Sequence, residues 1–190
     1  MTFIPTVVVG PSGVGKGTVI AQVLAMCPQV WLSVSATTRA PRPGEVNGKH
    51  YFFVSEPEFS DLIEHDGLLE WATYQGHRYG TPRQAVIEKV EQGRAVLLEI
   101  EVQGARQVLE RLRPVRSVFL APPSWADLEK RLRGRGTEPE SVIEQRLVTA
   151  REELAFRDHC DHVIVNREVA SSAAELVNFI GLGLTSDQAH

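Results

Sequence analysis

Residues Thr6 to Thr18 read TVVVGPSGVGKGT, an apolar β-branched run joined to glycines at 10 and 15 and a lysine at 16. Val7, Val8 and Val9 suit a strand buried on both faces, and the glycines after them suit a turn whose backbone can approach a ligand closely. A helix with an apolar stripe of Val19, Ile20, Val23 and Leu24 then starts near Lys16. Strand, glycine loop, lysine and helix in this order describe a phosphate-binding loop, in which backbone N–H groups and the lysine surround a nucleotide's phosphates. An ordinary strand-turn-helix is the plainer reading, and the lysine with both glycines at this spacing speaks against it. Gly17 occupies the usual Ser/Thr place after the lysine, with Thr18 next, so position 17 has no hydroxyl to offer Mg²⁺.

The chain of 190 residues is long enough for one well-buried core, and a separate second core is not expected. A net charge of −4 gives no basic footprint for nucleic acid or an anionic membrane, so neither is expected as a partner. Arginine outnumbers lysine, which suits bidentate phosphate recognition and equally suits a surface from an Arg-rich proteome. Cys27 and Cys160 have no metal-ligand or redox-pair spacing and read as reduced thiols. No apolar run reaches membrane-spanning length and no leader is visible, so a soluble cytoplasmic protein is expected.

Apolar strands alternate with amphipathic helices along most of the chain. Strands are expected at Ile4–Val9, Val30–Val34, Ala95–Ile100, Val115–Leu120 and His162–Val165. Helices are expected at Lys16–Met26 and Gln103–Leu112, from Ser124, from about Glu138 to Phe156, and from Ser171. This is the punctuation of an α/β fold with a parallel sheet and helices on both faces. Between Ser35 and Arg83 the pattern changes to short extended pieces around one helix, Glu56 to His65, which reads as an insertion with its own small sheet. A second excursion, Pro122 to about Arg157, is rich in arginine and reads as a lid.

The insertion holds the candidate substrate residues. In SATTRAPRPGE, residues 35–45, Arg39 and Arg42 flank Pro41 before a Pro43-Gly44 turn, and such a loop can aim both guanidinium groups at one phosphate. Tyr51 and Tyr79 could each donate a phenolic O–H to that phosphate, and each is equally compatible with a half-buried strand tyrosine. Glu70, in LLEW, either faces solvent by alternation or serves a buried purpose. A carboxylate there can accept paired hydrogen bonds from the ring N–H and exocyclic amino group of guanine, which adenine does not offer. Hydroxyls of Ser35 and Thr81 could then address the carbonyl oxygen.

Taken together, GPSGVGKGT, SATTRAPRPGEVNGKHYFF, LLEWATYQGHRYGT, LLEIEVQGA, LEKRLRGRGT and VIVN make the chain resemble guanylate kinase, in order and spacing, from about Ile4 to Ile180. The resemblance implies a P-loop kinase fold and Mg²⁺-dependent transfer of the γ-phosphoryl group of ATP to GMP, with dGMP as a second acceptor. It implies a core of residues 4–34, 84–121 and 158–184, a GMP-binding region 35–83, a lid 122–157 and a polar tail 185–190. By position, Ser35, Glu70 and Thr81 resemble guanine contacts, and Arg39, Arg42, Tyr51 and Tyr79 a GMP phosphate clamp. ATP phosphates are expected on the backbone of Gly10, Pro11, Ser12, Gly13, Val14, Gly15, Lys16, Gly17 and Thr18 and on the Lys16 side chain. The resemblance puts Arg131, Arg135 and Arg146 on the closing side, the last two over the transferred group, and Asn166 near the adenine.

Where the family usually has aspartates at the end of an LDID-like strand, this chain has Glu99 and Glu101. Alternation places the two on one side of an extended strand. Glu99 is expected to act toward Mg²⁺, and Glu101 toward GMP or its arginine clamp. The Gly17-Thr18 pair also resembles the loop of adenylate kinases. Rival readings are a kinase-like scaffold module without catalysis, a kinase for another monophosphate, and a GTPase. The intact Lys16, Arg39, Arg42 and Glu70 argue against the first, Glu70 with Ser35 and Thr81 against the second, and the lack of an Asn-Lys-x-Asp motif against the third. Oligomeric state is left open between monomer and homo-oligomer.

Overall fold

The computed structural model describes residues 3–74, 76–134 and 139–183. β1 (Thr6–Val9) is completely buried and its alternation splits two cores. Val8 packs with Val19, Ile20 and Leu176 on one side, while Val7 and Val9 pack with Leu69, Leu98 and Phe119 on the other. A strand covered on both faces needs apolar residues at every position, which is why TVVV reads as an unbroken run.

The chain turns from β1 into α1 (Lys16–Met26), then β2 (Val30–Leu32). The second sheet follows, with β3 (Ala36–Thr37), β4 (Phe52–Phe53), helix α2 (Glu56–Glu64), β5 (Leu68–Tyr74) and β6 (His77–Pro82). Helix α3 (Arg83–Glu91) leads to β7 (Ala95–Glu99), α4 (Val102–Arg111) and β8 (Arg116–Ala121). α5 (Trp125–Arg133), α6 (Glu140–Leu154) with a 3-10 turn at Ala155–His159, β9 (His162–Val165) and α7 (Val169–Phe179) complete the order.

The main sheet is parallel throughout, in the order β2-β7-β1-β8-β9. The loop after β1 therefore opens at the carboxyl edge between β7 and β8, where doubly wound sheets hold their ligands. Register sets Val8 beside Glu99, which brings that glutamate level with the start of the loop. The second sheet is mixed, in the order β4-β3-β6-β5, and its underside closes on Ala36, Phe59 and Leu68. α2 enters through a capping box, with Ser55 and Glu58 exchanging side-chain and backbone hydrogen bonds.

α3 is not in the sequence-based expectation, which had no helix between Arg83 and Ala95. Only Val86 is fully buried, with Val90 packed partly beside it, and nine residues with so thin a stripe look like a loop after Thr81-Pro82. α7 begins two residues earlier than Ser171, and the strands expected at Ile4–Val9 and Val30–Val34 pair only over Thr6–Val9 and Val30–Leu32. Among the described residues no helix is long and apolar enough to cross a membrane.

Phe119 is fully buried in β8 beside Val9 of β1. Phe119→Ala should cost about 3–5 kcal/mol of unfolding free energy, against about 1 kcal/mol for loss of the α2 cap in Ser55→Ala, both read by denaturant titration.

Candidate functional site

The loop after β1 is shaped by left-handed glycines. Gly15 has φ +98 and a Cβ there would stand 2.9 Å from Asn166 Nδ2, while Gly13 has φ +83 and a Cβ would stand 2.7 Å from Leu132 Cδ2. Two side chains hold the peak of the loop from behind. Arg131 Nη1 donates to the Val14 carbonyl at 3.0 Å and Asn166 Nδ2 donates to the same oxygen at 2.8 Å. Arg131 also donates to the Asn166 carbonyl, and Asn166 Oδ1 accepts from Ser172. That carbonyl is tied back into the protein, and α1's first turn brings the positive end of its dipole to the end of the loop. Lys16, 9% exposed, folds over the loop and donates to the Gly10 carbonyl at 2.5 Å. Gly17 and Thr18 are exposed at the start of α1.

Three glutamates surround this lysine. Glu99 ends β7, with its Oε1 3.7 Å from where a Gly17 Cβ would be. Burial raises its pKa, Lys16 opposes that rise, and Glu101 adds to it. Glu101, the residue before α4, puts Oε1 4.0 Å from Lys16 Nζ while remaining 69% exposed. Glu153 arrives from the last turn of α6, is 8% exposed, and accepts a 3.1 Å hydrogen bond from the Ser12 N–H of the loop. Burial and the neighbouring Glu101 carboxyl push Glu153 up to about 7, against the pull of Ser12 and Lys16. Glu153 was not among the sequence candidates. In REEL on an amphipathic helix it looks like a solvated charge, and its partner lies 141 residues away.

On the second sheet, register explains why scattered residues share a face. Glu70 pairs with Thr81 and Ala36 with Gly80, so one row across β3, β6 and β5 runs from Ser35, just before β3, through Thr81 to Glu70. Tyr79, two residues from Thr81, lies on the same side, and its ring meets that of Tyr51 edge-on at 5.9 Å. Glu70 is 6% exposed, and its Oε1 accepts from Thr81 Oγ1 at 2.7 Å. Burial raises its pKa and the Thr81 hydroxyl opposes the rise. The alternation that would have sent Glu70 to solvent is broken by an irregularity between Leu68 and Glu70.

Arg39 is gripped by Glu45, with Nη2 at 2.8 and 3.0 Å from the two carboxylate oxygens, and it lies 5.4 Å from the Tyr51 ring centroid. Glu45 also accepts from the Arg42 N–H at 2.7 Å, so one carboxylate orders the whole Arg39–Arg42 turn. The paired arginine draws the Glu45 pKa down. The sequence reading assigned Glu45 no role; an acidic residue after Pro43-Gly44 looks like turn chemistry until the chain folds back on Arg39. The Arg42 side chain is exposed. Arg146 lies on α6, two turns before Glu153 and on the same helix face. Arg135 lies outside the described residues.

The site suits a magnesium ion carried by phosphates. No group of three or more His, Cys, Asp or Glu side chains able to hold a metal is present among the described residues, and one carboxylate, Glu99, stands against the exposed first turn of α1. A small hard cation held by substrate phosphates, waters and one carboxylate needs no more than that.

A family model described as guanylate kinase matches residues 3–181. A guanylate kinase of Streptomyces coelicolor is 59% identical over 172 residues, covering 90% of this chain and 87% of its own length. One from a Synechococcus species is 54% identical over 181 residues, covering 95% of each chain. The crystal structure of guanylate kinase from Anaplasma phagocytophilum superposes with a TM-score of 0.73 at 33% identity, covering 95% of this chain and 86% of that one.

A carboxyl raised above its ordinary value of 4.5 keeps its proton longer in the folded state, so its contribution to stability is full at low pH and is lost as pH rises through about 7. Glu153→Gln removes that titration while keeping an acceptor for Ser12. Its melting temperature should fall less than that of the parent protein between roughly pH 5 and 8 in a pH series of thermal scans.

Proposed function

The chain belongs to the guanylate kinase family, whose members transfer the γ-phosphoryl group of ATP to GMP to give ADP and GDP with Mg²⁺, and we propose how its own residues divide that work. The observation that carries the division is the buried Glu70–Thr81 pair, on the sheet face that also carries Tyr51 and Tyr79. Glu70 accepts the two N–H groups on guanine's Watson–Crick edge, with Thr81 and Ser35 supplying hydroxyls beside it. The raised Glu70 pKa reflects a dry carboxylate, which a donor pair of the right spacing returns to its ionised form. Arg39, aimed by Glu45, binds the GMP phosphate with Arg42, Tyr51 and Tyr79.

The loop from Gly10 to Thr18 and Lys16 hold the ATP phosphates, and Arg131 with Asn166 keeps the loop in shape from behind. Mg²⁺, held through Glu99, supplies charge neutralisation over the donor phosphates when bound. Phosphoryl transfer asks for in-line positioning and for cover of the moving negative charge, so no side chain is required as a base. Residues 122–157 form a lid that brings Arg146 and Arg135 over the transferred group and excludes water as a rival acceptor. dGMP is accepted too, since none of these groups is assigned to the ribose 2′-hydroxyl. The cytoplasm is the proposed location, where the free thiols of Cys27 and Cys160 stay reduced.

ADP release measured with GMP, AMP, CMP and UMP should respond strongly to GMP alone. Glu70→Gln should reduce GMP discrimination by about 1.5–3 kcal/mol, and unchanged GMP kinetics in that variant would remove Glu70 from the base site. ATP and GMP analogues together should shrink the radius of gyration in solution scattering, whereas superimposable profiles would argue against a closing lid.

A further inference from the structure

Glu70 sits on β5, and among the described residues β5 is the edge of its sheet, paired only with β6. An edge strand has a row of backbone groups with no strand to bond, and it slides or frays unless something else takes them. Here a single side chain from the other half of the molecule does so. Gln107 on α4 donates from Nε2 to the Trp71 carbonyl at 2.9 Å, and its Oε1 accepts from the Trp71 N–H at 3.3 Å. A primary amide carries one donor and one acceptor side by side, which lets it pair with a backbone as a neighbouring strand would. The residue it grips is the one next to Glu70.

One helical turn earlier on α4, Gly104 makes the second contact. A Cβ built there would lie 2.5 Å from Glu70 Oε2 and 3.0 Å from Glu70 Cδ, so the helix backbone forms the wall against which this carboxylate rests. Thr81 fixes the other oxygen from the β6 side. The Glu70–Trp71 pair is thus held at three points on two elements, Thr81 and Gly104 on Glu70 and Gln107 on Trp71, and two of them belong to α4, the helix that starts just after Glu99 and Glu101.

We propose that Gln107 is a positioning residue for the acceptor base. Its two-point grip on Trp71, with Gly104 as the backstop, sets the depth at which the Glu70 carboxylate meets the guanine edge. The proposal rests on the reading of Glu70 as the guanine acceptor. A carboxylate displaced by a fraction of an ångström keeps one hydrogen bond and loses the second, so the loss falls on the exocyclic amino group that separates GMP from inosine monophosphate. ATP, bound on the opposite side of α4's first turn, does not feel it.

The test uses the full chain with Gln107→Met, which keeps length and helix propensity and removes both bonds, and with Gly104→Ala, which leaves them and pushes on the carboxylate directly. Steady-state kinetics with GMP, inosine monophosphate and ATP are compared in each variant, in Glu70→Gln, and in the double variant Glu70→Gln with Gln107→Met. Expected results are a GMP KM raised roughly tenfold with an unchanged ATP KM, a smaller GMP preference over inosine monophosphate, and no further loss from Gln107→Met once Glu70 is already Gln. Equal rises in both KM values, additive losses in the double variant, or a GMP KM unchanged in Gln107→Met would overturn it. If Gln107→Met does not fold, Gln107→Glu, which keeps the length and the acceptor but loses the amide donor to the Trp71 carbonyl, decides: a raised GMP KM with the ATP KM unchanged supports the proposal, and an unchanged GMP KM overturns it. Wild-type GMP preference in Glu70→Gln refutes the underlying base reading instead, whatever the α4 variants do.

Discussion

The rest of the molecule depends on one carbonyl being turned the wrong way. Val14 O points back into the protein, where Arg131 and Asn166 both donate to it, and the left-handed Gly13 and Gly15 on either side permit that turn. A peptide flipped the other way would turn an oxygen, in place of the Gly15 N–H, toward the crevice, where it would repel an anion. Each supporting element can be traced to this constraint. β1 is buried between β7 and β8 to deliver the loop, β9 delivers Asn166, and α5 delivers Arg131.

Charge around the loop is finely opposed. Lys16 has Glu99, Glu101 and Glu153 about it, two of them shielded enough from water for burial to raise their pKa. Three acidic side chains beside one ammonium would be unfavourable with all of them ionised, and burial together with the neighbouring Glu101 raises the Glu153 pKa in the direction that relieves it. The same carboxyl ties the end of α6 to the loop at Ser12, so the helix that carries Arg146 is anchored on the loop between β1 and α1. Glu101 reaches toward Lys16 from the first residue outside α4 while most of its surface stays in water.

The two sheets are coupled by α4 more than by the connecting chain. Leu69 of β5 packs into the main core with Val86 and Phe119, and its neighbours Glu70 and Trp71 are contacted by Gly104 and Gln107. With β5 fixed to the helix that begins beside the loop after β1, the two sheets are held in one frame, while the Arg39 turn, ordered by Glu45, rides on the second sheet.

Much of this was legible in the amino-acid order. The TVVVGPSGVGKGT run determined the buried strand, the loop and the helix beginning at Lys16, because a doubly covered strand, left-handed turns and a helix start each restrict residue type over a few adjacent positions. The alternation of apolar segments determined a parallel sheet, and the motifs between Ser35 and Thr81 pointed to a nucleotide's base and phosphate. Tertiary structure alone decided the rest. α3 was invisible because its stripe is too thin, Glu70 turned inward because a strand irregularity shifts the face, and Glu45, Gln107 and Glu153 acquired partners only when distant segments met. A local pattern reports what each residue needs from its own helix or strand. It holds no record of a carboxylate or amide whose hydrogen-bond partner is supplied from elsewhere in the chain, and in this protein those long-range polar contacts are what give the site its geometry.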